Sequence, residues 1–262
     1  MKPALPPPPT AVRRRAAAAA DSLLIVGAGG VLGAALLAQA LGSGRFAHVQ
    51  ALVARPLAST LPGFEPLPLE RLEAGALAHT AAIVFERERR HNGRDEAYVQ
   101  PQPAGLADLA QRLFDGGVRR LLVVVPHAPA LLPQALMAGL ASIDEGRVTA
   151  LGFEQLVFLR AARGGPGASG APAAGWAARV AGWWLSQLSW MVPQTQLPVR
   201  TARVAELAVE LAWLLNHAPL ATRVLPPDVL WQAAQSADGG ALLDDWLHGR
   251  PLPPLQEAKR RW

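Results

Sequence analysis

The 262-residue chain has no cysteine, a single tyrosine (Tyr98), and only two lysines, Lys2 and Lys259, one near each end. Without cysteine it forms no disulfide, offers no thiolate nucleophile and cannot ligate zinc or an iron–sulfur centre through sulfur. Charge is sparse as well. Only 17% of residues are charged against 51% hydrophobic, and mean hydropathy is +0.18, which excludes a largely disordered chain. No G-x-S-x-G nucleophile elbow is present, because Gly167-Ala-Ser-Gly170 breaks the spacing. His48, His79, His91, His217 and His248 lack metal-ligand spacing, so no metal is expected. Asp144-Glu145 and Asp244-Asp245 are carboxylate pairs by sequence alone. Adjacent helical residues do not share a face, so solvated or capping roles are expected for them.

What remains is a basic, apolar chain with a net charge of +5. Its arginines are scattered apart from Arg13–Arg15, the Glu86–Arg94 stretch and the tail Lys259–Arg261. No zinc-finger, basic-zipper or RNA-recognition signature accompanies them, so a solvated surface is expected and a nucleic-acid partner is not. Residues 1–21 (Pro6–Pro9, three arginines, Ala16–Ala20) have no periodic apolar face and read as a flexible extension. From Ser22 to Gly44 one charge-free stretch raises the question of a signal peptide or a membrane span. Asp21 and the glycines at 27, 29, 30 and 33 speak against both, and a soluble, cytoplasmic protein without a transmembrane span is the expectation.

The apolar pattern up to residue 160 alternates. Strands are expected at Leu23–Val26, His48–Val53, Ala81–Phe85, Leu121–Val125 and Leu156–Leu159, with an indeterminate stretch near 64–78. Helices are expected at Val31–Leu41, Ala104–Phe114 and Pro133–Leu151, then at Trp176–Met191 and Ala202–Asn216, the last capped by Thr201. Strands alternating with helices of this length imply an α/β fold with a doubly wound, mostly parallel sheet, Rossmann-like, closed by a small helical C-terminal cap. The expected organisation is the extension 1–21, one domain over 22–236 with a cap segment 172–216, and a loosely packed tail 237–262. Gly164–Gly175 is a small-residue loop between the two halves.

One motif carries chemistry. Leu23-Leu-Ile-Val-Gly27-Ala-Gly29-Gly30-Val31-Leu32-Gly33 is a strand, a glycine turn and a helix start. In a dinucleotide site the first glycine makes the turn, a middle one admits the pyrophosphate, and the last lets helix pack on strand. The helix N-terminus then meets the phosphate charge with backbone N–H groups. G-x-G-x-x-G fails from Gly27, because residue 32 is leucine; G-x-x-G-x-x-G fits through Gly27, Gly30 and Gly33. The expected cofactor-binding set is therefore Gly27, Gly29, Gly30, Val31, Leu32 and Gly33. The next strand ends in Arg55, where an acidic residue would bind a ribose 2′-hydroxyl. A guanidinium suits a 2′-phosphate instead, so NADP is preferred to NAD.

With these residues the chain resembles the atypical short-chain dehydrogenases/reductases, in particular the branch of Tat-interacting-protein-like oxidoreductases. The resemblance runs from about Ser22 to Ala234. It takes in Leu24–Gly33, Ala51–Arg55, Ala97-Tyr98-Val99, Gly117–Val125, Gly152–Arg160 and Leu197–Ala208. It implies hydride transfer by Tyr-x-x-x-Lys, in which lysine lowers the tyrosine pKa and the phenol exchanges a proton with substrate. That dyad cannot exist here. Gln102 stands four residues after Tyr98, and no lysine lies between residues 3 and 258. The dyad's place falls near Met137–Ala141, and Pro126-His127 replaces the expected serine. The turn that borders the cofactor in this branch reads Phe85-Glu-Arg-Glu-Arg-Arg90, bulky and charged where small residues are usual.

Three functions stay open on this reading. The first is an NAD(P)-binding protein without the tyrosine chemistry, a nucleotide sensor or an assembly or partner-binding factor. The second is an NADPH-dependent reductase using water or His127 as proton donor, His127 being the one catalytic candidate. The third is a cofactor-free scaffold, favoured by the Glu86–Arg90 turn. Trp176, Trp183, Trp184 and Trp190 recur near helical spacing. Core packing is the first expectation for that stripe; a lid over the nucleotide cleft, a partner or dimer surface and an interfacial membrane helix compete with it, the last weakened because Arg179 is the segment's only charge.

Overall fold

The computed structural model describes residues 22–74, 78–86, 95–127, 145–162 and 199–253. Seven strands form one sheet: β1 (Ser22–Val26), β2 (His48–Val53), β3 (Phe64–Pro68), β4 (Thr80–Val84), β5 (Arg120–His127), β6 (Gln155–Ala162) and β7 (Ala221–Leu225). Their order is β3-β2-β1-β4-β5-β6-β7, and every neighbouring pair is parallel. The order reverses between β1 and β4, as in a doubly wound nucleotide-binding sheet. The Rossmann-like α/β architecture is thus fixed by topology.

The central strands are continuous apolar runs because helices cover both faces. Ser22–Val26 and Thr80–Val84 are buried at every position. Alternate residues serve opposite cores. Leu23, Ile25, Ala82, Val84, Leu122 and Val124 face α1 (Val31–Gly42) and α3 (Thr201–Leu214). Leu24, Val26, Ala81, Ile83, Leu121 and Val123 face the other core, which includes α2 (Leu106–Asp115). Helix α2 buries Leu106, Ala107, Ala110 and Leu113, while Asp108 and Gln111 stay outside. The edge strand β3 carries Pro66 and Pro68, which remove backbone donors from an edge that could otherwise template pairing.

Several boundaries differ from the sequence reading. The indeterminate stretch resolves into β3 and a 3-10 segment, Leu69–Ala74. Thr201 does not cap α3; Arg200 holds the cap position without a side-chain bond, and Thr201 is the first helical residue. The expectation of loose packing at the end is not met by residues 239–247. They form α5 (Gly239–Leu247), preceded by α4 (Pro227–Gln235). Asp238 caps α5 by accepting from the Ala241 N–H at 2.9 Å, and Leu242, Leu243 and Leu247 are buried. Glycine, proline and charge averaged over the whole stretch hid three leucines that share a buried side. Asp244 and Asp245 both pair with Arg250, which closes the helix.

The extension 1–21, Met137–Ala141, Gly164–Gly175 and the tryptophans 176–190 lie outside the described residues. Residues 145–149, from the expected Pro133–Leu151 helix, are helical. Among the described residues no helix is long and apolar enough to cross a membrane.

Candidate functional site

Strand β1 feeds α1 through the glycine turn at the carboxyl end of the sheet, beside the point where strand order reverses. Gly27 sits at φ +94°, a region L-residues avoid. A Cβ there would land on the Val84 carbonyl oxygen and 3.2 Å from Pro101 Cδ. A Cβ on Gly33 would run into the Gly27 carbonyl, 2.8 Å from its carbon, so the first turn of α1 rests directly on the end of β1. Two of the three motif glycines are therefore required by close backbone approach.

Gly30 is different. Its backbone is ordinary and extended (φ −82°, ψ 173°), and it occupies the N-cap of α1 without supplying a side-chain cap. A Cβ there would meet the carboxylate of Glu86. That carboxylate accepts a hydrogen bond from the Leu32 N–H through Oε1. Helix α1 has no acidic residue in its own first turn, so Glu86, 54 positions away, answers its N-terminal dipole. Val31 is 56% exposed, Leu32 is buried, and Gly29 is buried in the turn. The first turn of α1 thus meets a carboxylate, and that carboxylate is a side chain of this chain.

Glu86 stands two residues beyond β4. Before it, Phe85 is buried and donates its N–H to the Val124 carbonyl at 3.0 Å, extending the β4–β5 pairing by one residue. Farther along the same connection, residues 95–99 lie against the carboxyl end of β2. Ala54 N–H donates to the Ala97 carbonyl at 2.7 Å, Val99 N–H to Leu52 at 3.0 Å, and Tyr98 forms an antiparallel bridge with Val53. This brings Glu96 to Arg55: guanidinium Nη1 and carboxylate Oε2 are 3.2 Å apart, with side chains 68% and 47% exposed. The same pattern recurs on β6. Arg160, beside Val125 near the carboxyl end, directs one guanidinium nitrogen to both oxygens of Glu145 at 3.1 Å.

The structure brings Gly27, Gly29, Gly30, Val31, Leu32 and Gly33 into one turn, and sets Arg55 at the end of the next strand. Tyr98 lies at that strand end too. His127 closes β5 beside Ala162, at the carboxyl end of the sheet, and its side chain lies outside the described residues. Sequence reasoning flagged the Phe85–Arg90 turn as bulky and charged beside the cofactor turn without singling out Glu86. It missed Glu96 and Glu145 as partners of Arg55 and Arg160. Among the described residues no group of three acidic or histidine side chains could hold a metal ion.

No family model and no curated protein matches the chain. Among solved structures it is similar to a protein described as an NAD-dependent epimerase/dehydratase from Bacillus halodurans, at 15% identity over 80% of this chain and 99% of that one, TM-score 0.47. It is also similar to a nucleoside-diphosphate-sugar epimerase from Staphylococcus aureus, at 12% identity over 87% and 88%, TM-score 0.41. Likeness this distant bears no functional weight, and the fold stands on the strand order itself.

Proposed function

We propose that this chain binds NADP(H) or NAD(H) in the groove above β1 and β4 and works without the tyrosine–lysine proton relay of the reductases it resembles. The observation that supports this most is the anion cradle: a glycine turn held by close backbone approach at Gly27 and Gly33, opening onto an α1 N-terminus whose Leu32 N–H already holds a carboxylate. The backbone of Gly27, Gly29, Gly30, Val31, Leu32 and Gly33 would surround the pyrophosphate, and Arg55 would face a 2′-phosphate. A bound nicotinamide would supply hydride-transfer capacity. The protein's own contribution is binding and orientation, because no lysine between residues 3 and 258 can hold a ribose or depress a phenol. Tyr98, bridged to Val53 at the end of β2, belongs to the far side of the groove from β5. A sensor or partner-binding role is the consequent reading.

Glu86 favours one other reading, a cofactor-free scaffold in which this carboxylate is a permanent helix cap. Equilibrium titration separates the two. NADPH should bind saturably, and Gly30→Asp should abolish binding while leaving the fold intact, since the Gly30 backbone is one any residue adopts and its new Cβ would displace only the flexible end of Glu86. Absence of binding at millimolar nucleotide, in wild type and in variants of Glu86, leaves only the scaffold.

A further inference from the structure

Two groups at the carboxyl ends of β1 and β2 suit phosphates: the amide end of α1 and the Arg55 guanidinium. Each is met by a glutamate, and both glutamates belong to the connection between β4 and α2. Glu86 accepts from Leu32 N–H and lies against Gly30. Glu96, in the 3-10 turn Asp95–Ala97, pairs with Arg55. Helix α1 brings no cap of its own, since Gly30 has no side chain and the first turn holds no acid. A dinucleotide pyrophosphate at this end would share a few ångströms with the Glu86 carboxylate, and like charges so placed repel. One anion must leave before the other settles.

We propose that Glu86 and Glu96 are built-in stand-ins for the phosphates of a dinucleotide and set the affinity and selectivity of the groove. Glu86 competes with the pyrophosphate for the amide end of α1, and so weakens every dinucleotide. Glu96 competes with a 2′-phosphate for Arg55, and so weakens NADP(H) alone. The two effects differ in size. Glu86 is partly buried and makes a charge-assisted bond to a backbone amide at a helix end. The Arg55–Glu96 pair is exposed, where water and salt screen most of the attraction. The proposal rests on the dinucleotide reading, and the experiment keeps the two apart.

The test is calorimetric titration of NADPH and NADH into the full chain, wild type and the variants Glu86→Ala, Glu86→Gln, Glu96→Ala and Glu86→Ala/Glu96→Ala, with thermal unfolding of each nucleotide-free protein. Glu86→Ala should tighten both nucleotides about ten-fold or more, the worth of one charge-assisted hydrogen bond. Glu86→Gln, nearly isosteric, should move the same way and serves if the alanine variant does not fold. Glu96→Ala should tighten NADPH about two- to five-fold and leave NADH unchanged. Binding by Glu86→Ala where wild type shows none supports the proposal and the reading together. Equal or weaker binding by folded Glu86 variants, with wild type binding, overturns the proposal and leaves the dinucleotide reading standing. No binding by any folded protein at millimolar nucleotide overturns both.

Discussion

The two ends of the sheet use similar polar groups in opposite ways. At the amino end, Thr80 is fully buried and donates to Asn216 Oδ1 at 3.3 Å. Arg120, only 15% exposed, donates to the same oxygen at 3.1 Å and lies 3.9 Å from Glu154. Gln155, also buried, donates to the Ala218 carbonyl at 2.8 Å. Thr80 and Arg120 share the Asn216 oxygen, so each depends on the other. At the carboxyl end, the α1 amide end, Arg55 and Arg160 each face one carboxylate, Glu86, Glu96 and Glu145 respectively. Among the described residues these three pairs have no member in common. A shared acceptor holds a scaffold together; a single donor–carboxylate contact can be exchanged for a ligand without disturbing a second one.

The largest effect should come from breaking the amino end. Asn216→Ala removes the acceptor that Thr80 and Arg120 share, leaving two poorly solvated donors unpaired. Chemical denaturation should report a loss of about 1–3 kcal/mol, with nucleotide affinity unchanged. A variant that instead altered affinity would erase the distinction between the ends. At the carboxyl end the expected pattern is reversed. Arg55→Ala should weaken NADPH more than NADH in parallel titrations while stability stays within about 0.5 kcal/mol of wild type, because the pair it breaks is exposed. Equal losses for both nucleotides would remove Arg55 from the 2′-phosphate site.

The smallest effect is a pH dependence. Burial, and then Arg120 beside it, hold the His79 imidazole below its ordinary value of 6.5. The unfolded chain therefore takes up this proton more readily than the folded one. As pH falls below 6.5 the contribution of His79 turns against folding, and it recovers as pH rises to that value. Melting curves between pH 7.5 and 5.5, about one unit either side of the ordinary histidine value, should show a shallower loss in His79→Gln than in wild type. Identical slopes would show that the amino end tolerates the charge.

Much of the scaffold was legible because its signals are local. Leu23–Val26 is apolar at each position, Gly27, Gly30 and Gly33 have one consistent spacing, and the alternation of strand and helix to residue 160 implies the parallel sheet. Strand β7 was not legible: Ala221–Leu225 is a sheet edge, partly exposed along most of its length, and its one buried residue is Leu225. Helix α5 begins with two glycines, and its stability comes from Leu242, Leu243 and Leu247 against the core and from the Asp238 cap. The glycine turn could be located from sequence, but its occupant could not. Glu86 reaches Leu32 across 54 residues, and Glu96 reaches Arg55 across 41. Neither pairing leaves a trace in spacing or periodicity. The bulk and charge of Phe85–Arg90 pointed to a conflict at the cofactor turn without saying which atom would enter it.

The most direct measurement is titration of NADPH into Glu86→Ala, alone and combined with Gly30→Asp. If the glycine turn is a dinucleotide seat held by an internal carboxylate, Glu86→Ala binds NADPH saturably and more tightly than wild type, and adding Gly30→Asp abolishes the binding. A folded Glu86→Ala protein that takes up no NADPH at millimolar concentration contradicts it.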